Sequence, residues 1–341
     1  PVCIAILLGN SLLSNQLHAQ AGLRESLERL DTDQDGEIAP GEITPRARPY
    51  LERIAKTRRM SLDRSNGIDK WQEAARIYET SVITGSISYH DDRLFIPVSS
   101  YEVAVSGSPT HICCKSHGGV IALDAGSGKQ LWAWHATPDA TLQGQNSDGL
   151  DWYGPSGASV WSTPTIDAKR NRIYFGTGEN LSHPATDTSD AIIALDMDSG
   201  DMVWRFQATA DDVWNAACLN GGANCPENAG GDFDFGASVI LAELPGGGEV
   251  LLAGQKSGDV FALDPDPGTA DGEMLWRRRV SNAAIGPHLE QTTTTGGVHW
   301  GMALADERLI VAAADPERDR PDYKPRPGLH ALNLVDGEVL W

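Results

Sequence analysis

Positive charge is scarce in this sequence, and long hydrophobic runs are absent. Lys and Arg number 27 against 47 Asp and Glu, so the 341 residues have a formal net charge of −20. Nucleic acids and anionic lipids require a basic face, which makes both classes poor candidates for partners. A membrane-spanning helix takes roughly 20 consecutive apolar residues, and since no run of that length occurs, we expect no membrane span. An acidic chain is instead suited to binding cations.

Cysteine is also scarce, and the spacings typical of zinc and haem sites are missing. The five cysteines are Cys3, Cys113, Cys114, Cys218 and Cys225. Without a CxxC pair a structural zinc site is disfavoured, and without CxxCH the sequence encodes no c-type haem site. Four of the five cysteines form two close pairs, which is typical of an oxidising compartment. Cys218 and Cys225 are predicted to form a local disulfide.

Residues 1–21 have the features of a secretory signal that lacks its beginning. Val2–Leu13 is an apolar run too short to span a bilayer, and Ala19 and Ala21 follow with the small-x-small spacing of a signal-peptidase site. A basic first region and an initiator methionine are absent, so we expect the chain to begin inside its reading frame. Together with the cysteine pairs, this segment predicts a periplasmic or secreted protein.

Residues 22–79 are predicted to form a helical EF-hand pair. The loop DTDQDGEIAPGE follows the spacing of a calcium-binding EF-hand, in which alternating oxygen ligands converge on a hard cation. The ligand positions 1, 3, 5, 7 and 12 are occupied by Asp31, Asp33, Asp35, Glu37 (through its carbonyl) and Glu42. A second loop, Ser61–Gln72, retains one carboxylate, Asp63, among positions 1, 3, 5 and 12. We interpret it as a degenerate partner loop, and an unrelated helix-turn-helix fits it equally well.

Four segments of residues 80–341 repeat one pattern. It consists of an apolar residue, Ala-Leu-Asp or Ala-Leu-Asn, a turn with Gly, and a final Trp. The segments are Gly119–Trp132, Ala191–Trp204, Asp259–Trp276 and Gly328–Trp341. Each predicts two strands joined by a tight turn, with further strand patterns between them. Four short strands per repeat are typical of a propeller blade, so the predicted fold class is mainly β: a partial β-propeller preceded by the small helical module.

The repeats resemble those of the PQQ-dependent (quinoprotein) alcohol dehydrogenases, and in detail those of the polyvinyl-alcohol dehydrogenase group. These enzymes hold pyrroloquinoline quinone (PQQ) in an eight-bladed propeller. The resemblance covers about residues 80–341 and includes the segments PVSSYE, CCKSHGGVIALD, YGPSGASVWSTPTID, GTGENLS, DFDFGAS, AGQKSGDVFALD and WGMA. Only four blade motifs are present, so we expect an incomplete propeller and a fragment of a longer protein.

The resemblance implies which residues surround the flat quinone. In the family a disulfide between adjacent cysteines covers one face, and Cys113–Cys114 is similar to it; two free or separately paired cysteines are the alternative. A tryptophan supports the other face, and Trp161 matches its position. The alternative is that Trp161 is an ordinary core tryptophan of the propeller. The other implied cofactor contacts are Ser159, Lys256 against the quinone oxygens, and Trp300 at the edge of the pocket.

The resemblance also implies a calcium ion and a catalytic base beside the quinone. Glu102 and Asn180 match two of the family's cation ligands, with the adjacent Glu179 as an alternative to Asn180. Asp232 matches the aspartate that is both the third ligand and the general base. Asp234 is the alternative base, because side chains two residues apart in an extended chain point to the same side.

The predicted function is the oxidation of alcohols, secondary and polymeric ones included, with PQQ and Ca²⁺. Electrons would pass to a cytochrome or another acceptor. The alternative is a non-catalytic β-propeller scaffold of the cell envelope, which has no need for Cys113–Cys114, Asp232 and Lys256 together. A third possibility, a calcium-dependent adhesion or sensor module, rests on the EF-hand loop alone.

Overall fold

The computed structural model describes residues 4–5, 37–38, 58–62, 69–282, 296–316 and 323–341. They belong to two compact units, residues 1–58 and 59–341. In the first unit, strand β1 (Ile4–Ala5) pairs antiparallel with β2 (Glu37–Ile38). Apart from the backbone of β2, the predicted EF-hand loop and all of its ligand side chains lie outside the described residues. The calcium site of this loop therefore stays a prediction.

A two-stranded sheet stands where the degenerate second EF-hand loop is predicted. It consists of β3 (Arg58–Leu62) and β4 (Asp69–Ala74). Trp71 lies in β4, donates its indole N–H to the Ala125 carbonyl at 3.0 Å, and packs its ring against Gly128. The structure thus differs from the loop interpretation at residues 69–72, because a strand there packs on the turn of the first repeat. Contacts of the propeller region begin before the predicted boundary at residue 80.

Four antiparallel sheets contain the four repeated segments. The first sheet comprises β5 (Ser81–Val82), β6 (Ser88–His90), β7 (Arg93–Ser100), β8 (Gly119–Asp124) and β9 (Gln130–His135). The second comprises β13 (Thr165–Asp167), β14 (Arg172–Gly176), β16 (Ala191–Asp196) and β17 (Met202–Gln207). The third comprises β18 (Ile240–Glu243), β19 (Glu249–Gly254), β20 (Asp259–Leu263) and β21 (Met274–Arg279). The fourth comprises β22 (Met302–Ala305), β23 (Arg308–Ala313) and β24 (Gly328–Asn333).

Shorter elements fill the connections between the first three sheets. Two short antiparallel pairs are β10 (Thr141–Gln145) with β11 (Asp151–Gly154), and β12 (Ser156–Gly157) with β15 (Asn180–Ser182). A single helical turn, α1 (Glu102–Val105), follows β7, and a 3-10 helix spans Ala216–Asn220. In the described part of the chain, no helix has the length and apolarity needed to cross a membrane. The mainly β, blade-like architecture predicted from the repeats is confirmed.

The repeated motif produces a β-bulge at the same place in three sheets. In the second sheet Ala194 faces Trp204 while Leu195 faces Met202, so one extra residue lies in β17. The same shift occurs between β8 and β9 and between β20 and β21. A bulge bends its strand and turns a side chain in a new direction. In the second sheet the extra residue is Val203, which stands between Met202 and the motif tryptophan Trp204.

Three of the four motif tryptophans connect their own sheet to the next one. The indole N–H groups donate to backbone carbonyls just after the motif strand of the following sheet. The pairs are Trp132 with Met197 at 3.1 Å, Trp204 with Pro265 at 3.3 Å, and Trp276 with Leu334 at 3.0 Å. A buried indole needs a partner for its N–H. The recurrence of Trp at a fixed place therefore follows from the way successive sheets stack.

Apolar cores lie between successive sheets. In β16, Ile193 and Leu195 face a core shared with the first sheet, while Ile192 and Ala194 face one shared with the third sheet. Alternate residues of a strand point to opposite faces, so one strand serves two cores. A further core joins the third and fourth sheets around Trp276. The motif strands are consequently buried on both faces.

Candidate active site

Four charged side chains from neighbouring sheets meet in a buried cluster. Glu179 follows β14, and Lys256 follows β19, which occupies the same place in the third sheet that β14 occupies in the second. Asp232 and Asp234 lie in the loop that precedes β18. The exposed fractions of the four residues lie between 4% and 7%.

Lys256 connects the two aspartates. Its Nζ lies 2.6 Å from Oδ1 of Asp232 and 2.7 Å from Oδ2 of Asp234. The backbone N–H of Glu179 donates to the other oxygen of Asp234, Oδ1, at 3.0 Å. Both oxygens of Asp234 are thus engaged. Among the described residues, Lys256 provides the single hydrogen bond to the Asp232 carboxylate.

The environment separates the pKa values of the three carboxyls. Burial raises the pKa of Asp232 to about 8, since it outweighs the attraction of Lys256. Burial would also raise the pKa of Asp234, but Lys256 and hydrogen bonds from Glu179 overcome it and lower that pKa to about 2. Burial and the Asp234 charge raise the pKa of Glu179 well above its usual value. A cation among these groups would favour their ionised forms.

The geometry of the three carboxylates would allow them to hold one cation together. One oxygen each from Glu179, Asp232 and Asp234 lies within 4.8 Å of the others. Carboxylate oxygens are the ligands preferred by hard cations such as Ca²⁺. The donor set therefore fits the calcium ion that the sequence predicts beside the quinone.

Glu102, a predicted cation ligand, is not part of this cluster. Its carboxylate accepts four hydrogen bonds within the protein. The donors are His111 Nε2 at 2.9 Å, the Lys115 N–H at 2.9 Å, and the N–H and hydroxyl of Ser116, both at 2.6 Å. Glu102 is 3% exposed, and in this arrangement it fixes the chain that follows the adjacent cysteines.

Asn180 also directs its side chain away from the cluster. Its amide donates to the Ser156 carbonyl at 2.9 Å, and its Oδ1 accepts from the Thr186 N–H at 2.7 Å. Of the two adjacent residues left open by the sequence, Glu179 is the one that lies with Asp232 and Asp234. The roles of Glu179 and Asn180 as cation ligands remain predictions.

The predicted disulfide between adjacent cysteines is confirmed. Cys113 and Cys114 are joined to each other, are 1% and 0% exposed, and pack against Leu181. Their backbone exchanges two hydrogen bonds with Tyr153. The predicted local disulfide between Cys218 and Cys225 is also present, with 4.7 Å between the Cα atoms.

The segment 153–161 connects the separate parts of the site. It begins at Tyr153, beside the disulfide, and its Ala158 N–H donates to the Glu179 carbonyl at 2.7 Å. It ends at Trp161. Ser159 lies within it and accepts a hydrogen bond from the Ser100 N–H at 3.1 Å.

Trp161 forms an aromatic wall next to Lys256. The ammonium lies 5.4 Å from the centre of the Trp161 ring. His299 and Trp300 contact the ring edge-on, with centroids at 5.6 and 6.3 Å. The ring also packs directly on Gly236, where any side chain would collide with it. Trp300 is 80% exposed, so it lies at the rim of this wall.

Two buried carboxyls next to the cluster are not among the predicted site residues. Asp190 and Asp212 are 0% and 2% exposed. Asp190 stands four residues before the motif alanine, where the third repeat has Gly258, and both residues have positive φ, +46° and +88°. An aspartate in a glycine position is the signal by which a comparison of the repeats would have found it.

Two family descriptions match the chain. The model described as "Glucose/ethanol/alcohol dehydrogenase, beta-propeller domain", a PQQ family, matches residues 99–219. The model described as "Outer membrane protein assembly factor BamB" matches residues 188–341. The two matched ranges overlap at residues 188–219, which contain the second repeat.

Curated relatives support the first of these descriptions. The chain is 37% identical over 283 residues to a polyvinylalcohol dehydrogenase of Pseudomonas sp., and 36% identical over 286 residues to one of Sphingopyxis sp. (strain 113P3). Each alignment covers 83% of this chain and 42% of the relative. The chain thus spans less than half the length of these relatives.

Solved structures confirm the fold. Quinohemoprotein alcohol dehydrogenase ADHIIG of Pseudomonas putida HK5 aligns with a TM-score of 0.55 at 17% identity, covering 84% of this chain and 50% of the other. The quinohemoprotein alcohol dehydrogenase of Comamonas testosteroni aligns with a TM-score of 0.53 at 16% identity, covering 83% and 56%. At these identities the likeness concerns the fold alone.

Proposed function

We propose that this chain, which belongs to the family of PQQ-dependent alcohol dehydrogenases, provides the cofactor and base site of an enzyme that oxidises alcohols with PQQ and Ca²⁺. The observation that supports this most directly is the buried contact of Lys256 with Asp232 and Asp234 beside Trp161. A lysine and two aspartates inside a propeller are unfavourable unless the charges serve a ligand or a reaction.

Asp232 is the residue that we assign as general base. A base needs a carboxylate oxygen within reach of the substrate hydroxyl. Asp234 has hydrogen bonds to both oxygens, whereas Asp232 keeps one oxygen free of hydrogen bonds from the described residues. Burial disfavours the charged form of Asp232 and so favours proton uptake by it.

The remaining residues are assigned to holding the two groups. Glu179, Asp232 and Asp234 would hold Ca²⁺, which suits their oxygen donors. Trp161 and the Cys113–Cys114 disulfide would bound the two faces of PQQ, and the Lys256 ammonium would bind its oxygens. When bound, PQQ supplies the two-electron oxidant; the protein orients the substrate, excludes water and takes the hydroxyl proton on Asp232.

The substrate class and the partners follow from the relatives. Since the two polyvinylalcohol dehydrogenases act on a polymeric secondary alcohol by name, we assign secondary alcohols, polymers included, to this protein. A cytochrome is proposed as electron acceptor, because other relatives are quinohemoproteins. The two disulfides support a periplasmic or secreted location. The EF-hand loop is proposed to bind a further Ca²⁺.

The scaffold alternative is favoured by one observation, the match of residues 188–341 to the BamB description. That match covers Asp232, Asp234 and Lys256, but a scaffold gains nothing from burying them. A direct experiment separates the two functions. The purified protein is supplied with PQQ and Ca²⁺, and reduction of an artificial dye is followed with a secondary alcohol.

Alcohol-dependent dye reduction that disappears without PQQ is the expected result. Binding of PQQ without turnover would limit the chain to the cofactor site. Failure to bind PQQ, measured by quenching of tryptophan fluorescence, would contradict the proposal and leave the scaffold. A Lys256→Met variant is the negative control for PQQ binding, because it keeps the size of the side chain and removes the ammonium that is assigned to the PQQ oxygens.

A further inference from the structure

The carboxyl group of Asp190 is completely buried, and neither of its oxygens has a hydrogen-bond partner among the residues that the structure describes. The same holds for Oδ1 of Asp212. Oδ2 of Asp212 accepts from the Phe233 N–H at 3.3 Å. Burying an ionised carboxylate without partners is strongly unfavourable. These three oxygens are therefore placed for something that the protein itself does not supply.

The two aspartates flank the backbone that carries Glu179. The Asp190 N–H donates to the Gly178 carbonyl at 2.9 Å, and the Asn180 N–H donates to the Asp212 carbonyl at 3.3 Å. The Asp212 side chain reaches the loop containing Asp232 and Asp234 through Phe233, which stands between them. Asp190 and Asp212 thus lie on backbone bonded to that of the cluster described above. They also lie near each other, since burial and then the charge of Asp212 raise the pKa of Asp190.

The backbone conformation at Asp190 is less favourable for an aspartate than for a glycine. Its φ of +46° belongs to the left-handed region, which glycine adopts most readily and which Gly258 adopts at the same place in the next repeat. Glycine would satisfy the chain conformation at Asp190 with no buried charge. The carboxyl group is what an aspartate adds there.

The charges around the pair are unbalanced. Five buried carboxyls belong to this region: Glu179, Asp190, Asp212, Asp232 and Asp234. In the described part of the chain, Lys256 is the single cation that is hydrogen-bonded to any of these five. If all were ionised, four negative charges would remain uncompensated. One divalent cation at the Glu179 cluster would neutralise two of them, and the other two match Asp190 and Asp212.

We propose that Asp190 and Asp212 bind a divalent cation of their own, of the hard, oxygen-preferring class of Ca²⁺, separate from the one assigned to Glu179, Asp232 and Asp234. Three free carboxylate oxygens supply part of the shell, and water and backbone carbonyls complete it. This second ion holds the Gly178–Asn180 segment against the loop of Asp232 and Asp234. The proposal does not depend on the oxidation of alcohols.

Counting bound Ca²⁺ tests the proposal. The full chain is prepared with Glu42→Gln to weaken the EF-hand loop, stripped with a chelator, reloaded with Ca²⁺, and measured by elemental analysis after buffer exchange and by calorimetric titration. Asp190→Asn and Asp212→Asn are each expected to lose one equivalent, and the double variant is expected to lose that same single equivalent. Glu179→Gln is expected to remove a different one, so that Asp190→Asn with Glu179→Gln loses two.

Asp187→Asn is the matched control. Asp187 lies close in sequence, is 61% exposed at its side chain and pairs with Arg205 at 2.7 Å, so its removal leaves the Ca²⁺ count unchanged. An unchanged count in Asp190→Asn would overturn the proposal and show that Asp190 is buried as the neutral acid. If that variant does not fold, the count in the Glu42→Gln parent decides: two equivalents support the second ion, and one or none contradicts it.

Discussion

Glu102 and Glu179 occupy similar places in adjacent sheets but have opposite surroundings. Each follows the strand that pairs with the motif strand, β7 in the first sheet and β14 in the second. Four hydrogen bonds converge on the Glu102 carboxylate. Glu179 instead faces two aspartates, and its pKa is raised well above the usual value by burial and by Asp234.

The difference shows how a carboxylate that follows the equivalent strand of a sheet can stabilise a loop or be left available for a ligand. At Glu102 the donors of residues 111–116 compensate for burial of the charge, so the carboxylate is stabilised by the protein itself. At Glu179 no donor from the described part of the chain compensates for burial, and two further carboxylates lie nearby. A propeller can therefore place a binding site in one interface and a rigid support in the neighbouring one with the same residue type.

The largest effect is expected at the carboxyl cluster, from Asp232→Asn. This change keeps the size of the side chain and removes its basicity. Turnover in the PQQ-loaded enzyme should fall by roughly 10²–10⁴, the range for loss of a general base. Asp234→Asn should reduce turnover less, since Asp234 is already saturated with hydrogen bonds. Steady-state rates with PQQ occupancy checked by absorbance measure both, and the reverse order would make Asp234 the base.

Glu102→Gln should act on stability. Losing a charged acceptor of several buried hydrogen bonds costs about 1.5–3 kcal/mol. For a domain of this size that corresponds to a fall in Tm of roughly 2–4 °C per kcal/mol, which calorimetry measures. Affinity for Ca²⁺ should stay within about twofold of the parent. A large loss of Ca²⁺ affinity with unchanged Tm would instead make Glu102 a ligand, as the family resemblance implies.

Glu179→Gln should give the converse result. Removing one negative ligand from the cluster is expected to weaken Ca²⁺ binding about tenfold, or about 1.4 kcal/mol, because affinity follows the number of charged ligands. Without Ca²⁺, Tm should be unchanged or higher, since a buried carboxyl with a raised pKa is relieved. A lower Tm in the absence of Ca²⁺ would place Glu179 in the same structural role as Glu102.

The smallest effect on stability is expected from reducing the Cys113–Cys114 disulfide. A bond between adjacent residues closes almost no loop, so the unfolded chain gains little entropy when it is broken. Retention of PQQ should suffer more than Tm, because the disulfide is assigned to one face of the cofactor. Cys218→Ser with Cys225→Ser is the matched control, with no effect on PQQ retention. Equal loss of PQQ in both cases would show that PQQ retention depends on the ordering of the loops and not on the covering of one quinone face by Cys113–Cys114.

The repeats allow most of the blade architecture to be predicted from the sequence. Ala-Leu-Asp, a Gly turn and Trp recur because each element performs the same task, and the bulge between Ala194 and Leu195 reappears in the other sheets. The repeat pattern does not predict Trp71, because the Ala-Leu-Asp part of the motif is absent before it. Its indole N–H is nevertheless bonded in the same way. The Cys113–Cys114 disulfide is instead predicted from the family resemblance, with two free or separately paired cysteines as the alternative.

The choice of ligand within the site required the structure. Neighbouring residues of an extended chain face opposite ways, so one residue of phase decides between Glu179 and Asn180. The role of Glu102 as a ligand stays a prediction for a different reason: a carboxylate at the end of a strand is equally suited to a cation or to backbone N–H groups. Asp190 gave no motif at all, and only its substitution for glycine between repeats distinguishes it.

The indole bonds between sheets have a consequence for how the propeller region unfolds. Trp71, Trp132, Trp204 and Trp276 each connect one sheet to the sheet after it, through the same atom and to an equivalent carbonyl. Coupling of this kind acts between nearest neighbours, as in linear repeat proteins. Loss of Trp204 would weaken that series at its middle, where the apolar core between the second and third sheets would remain as the coupling. The buried carboxyls, which draw on the second and third sheets, lie across that interface.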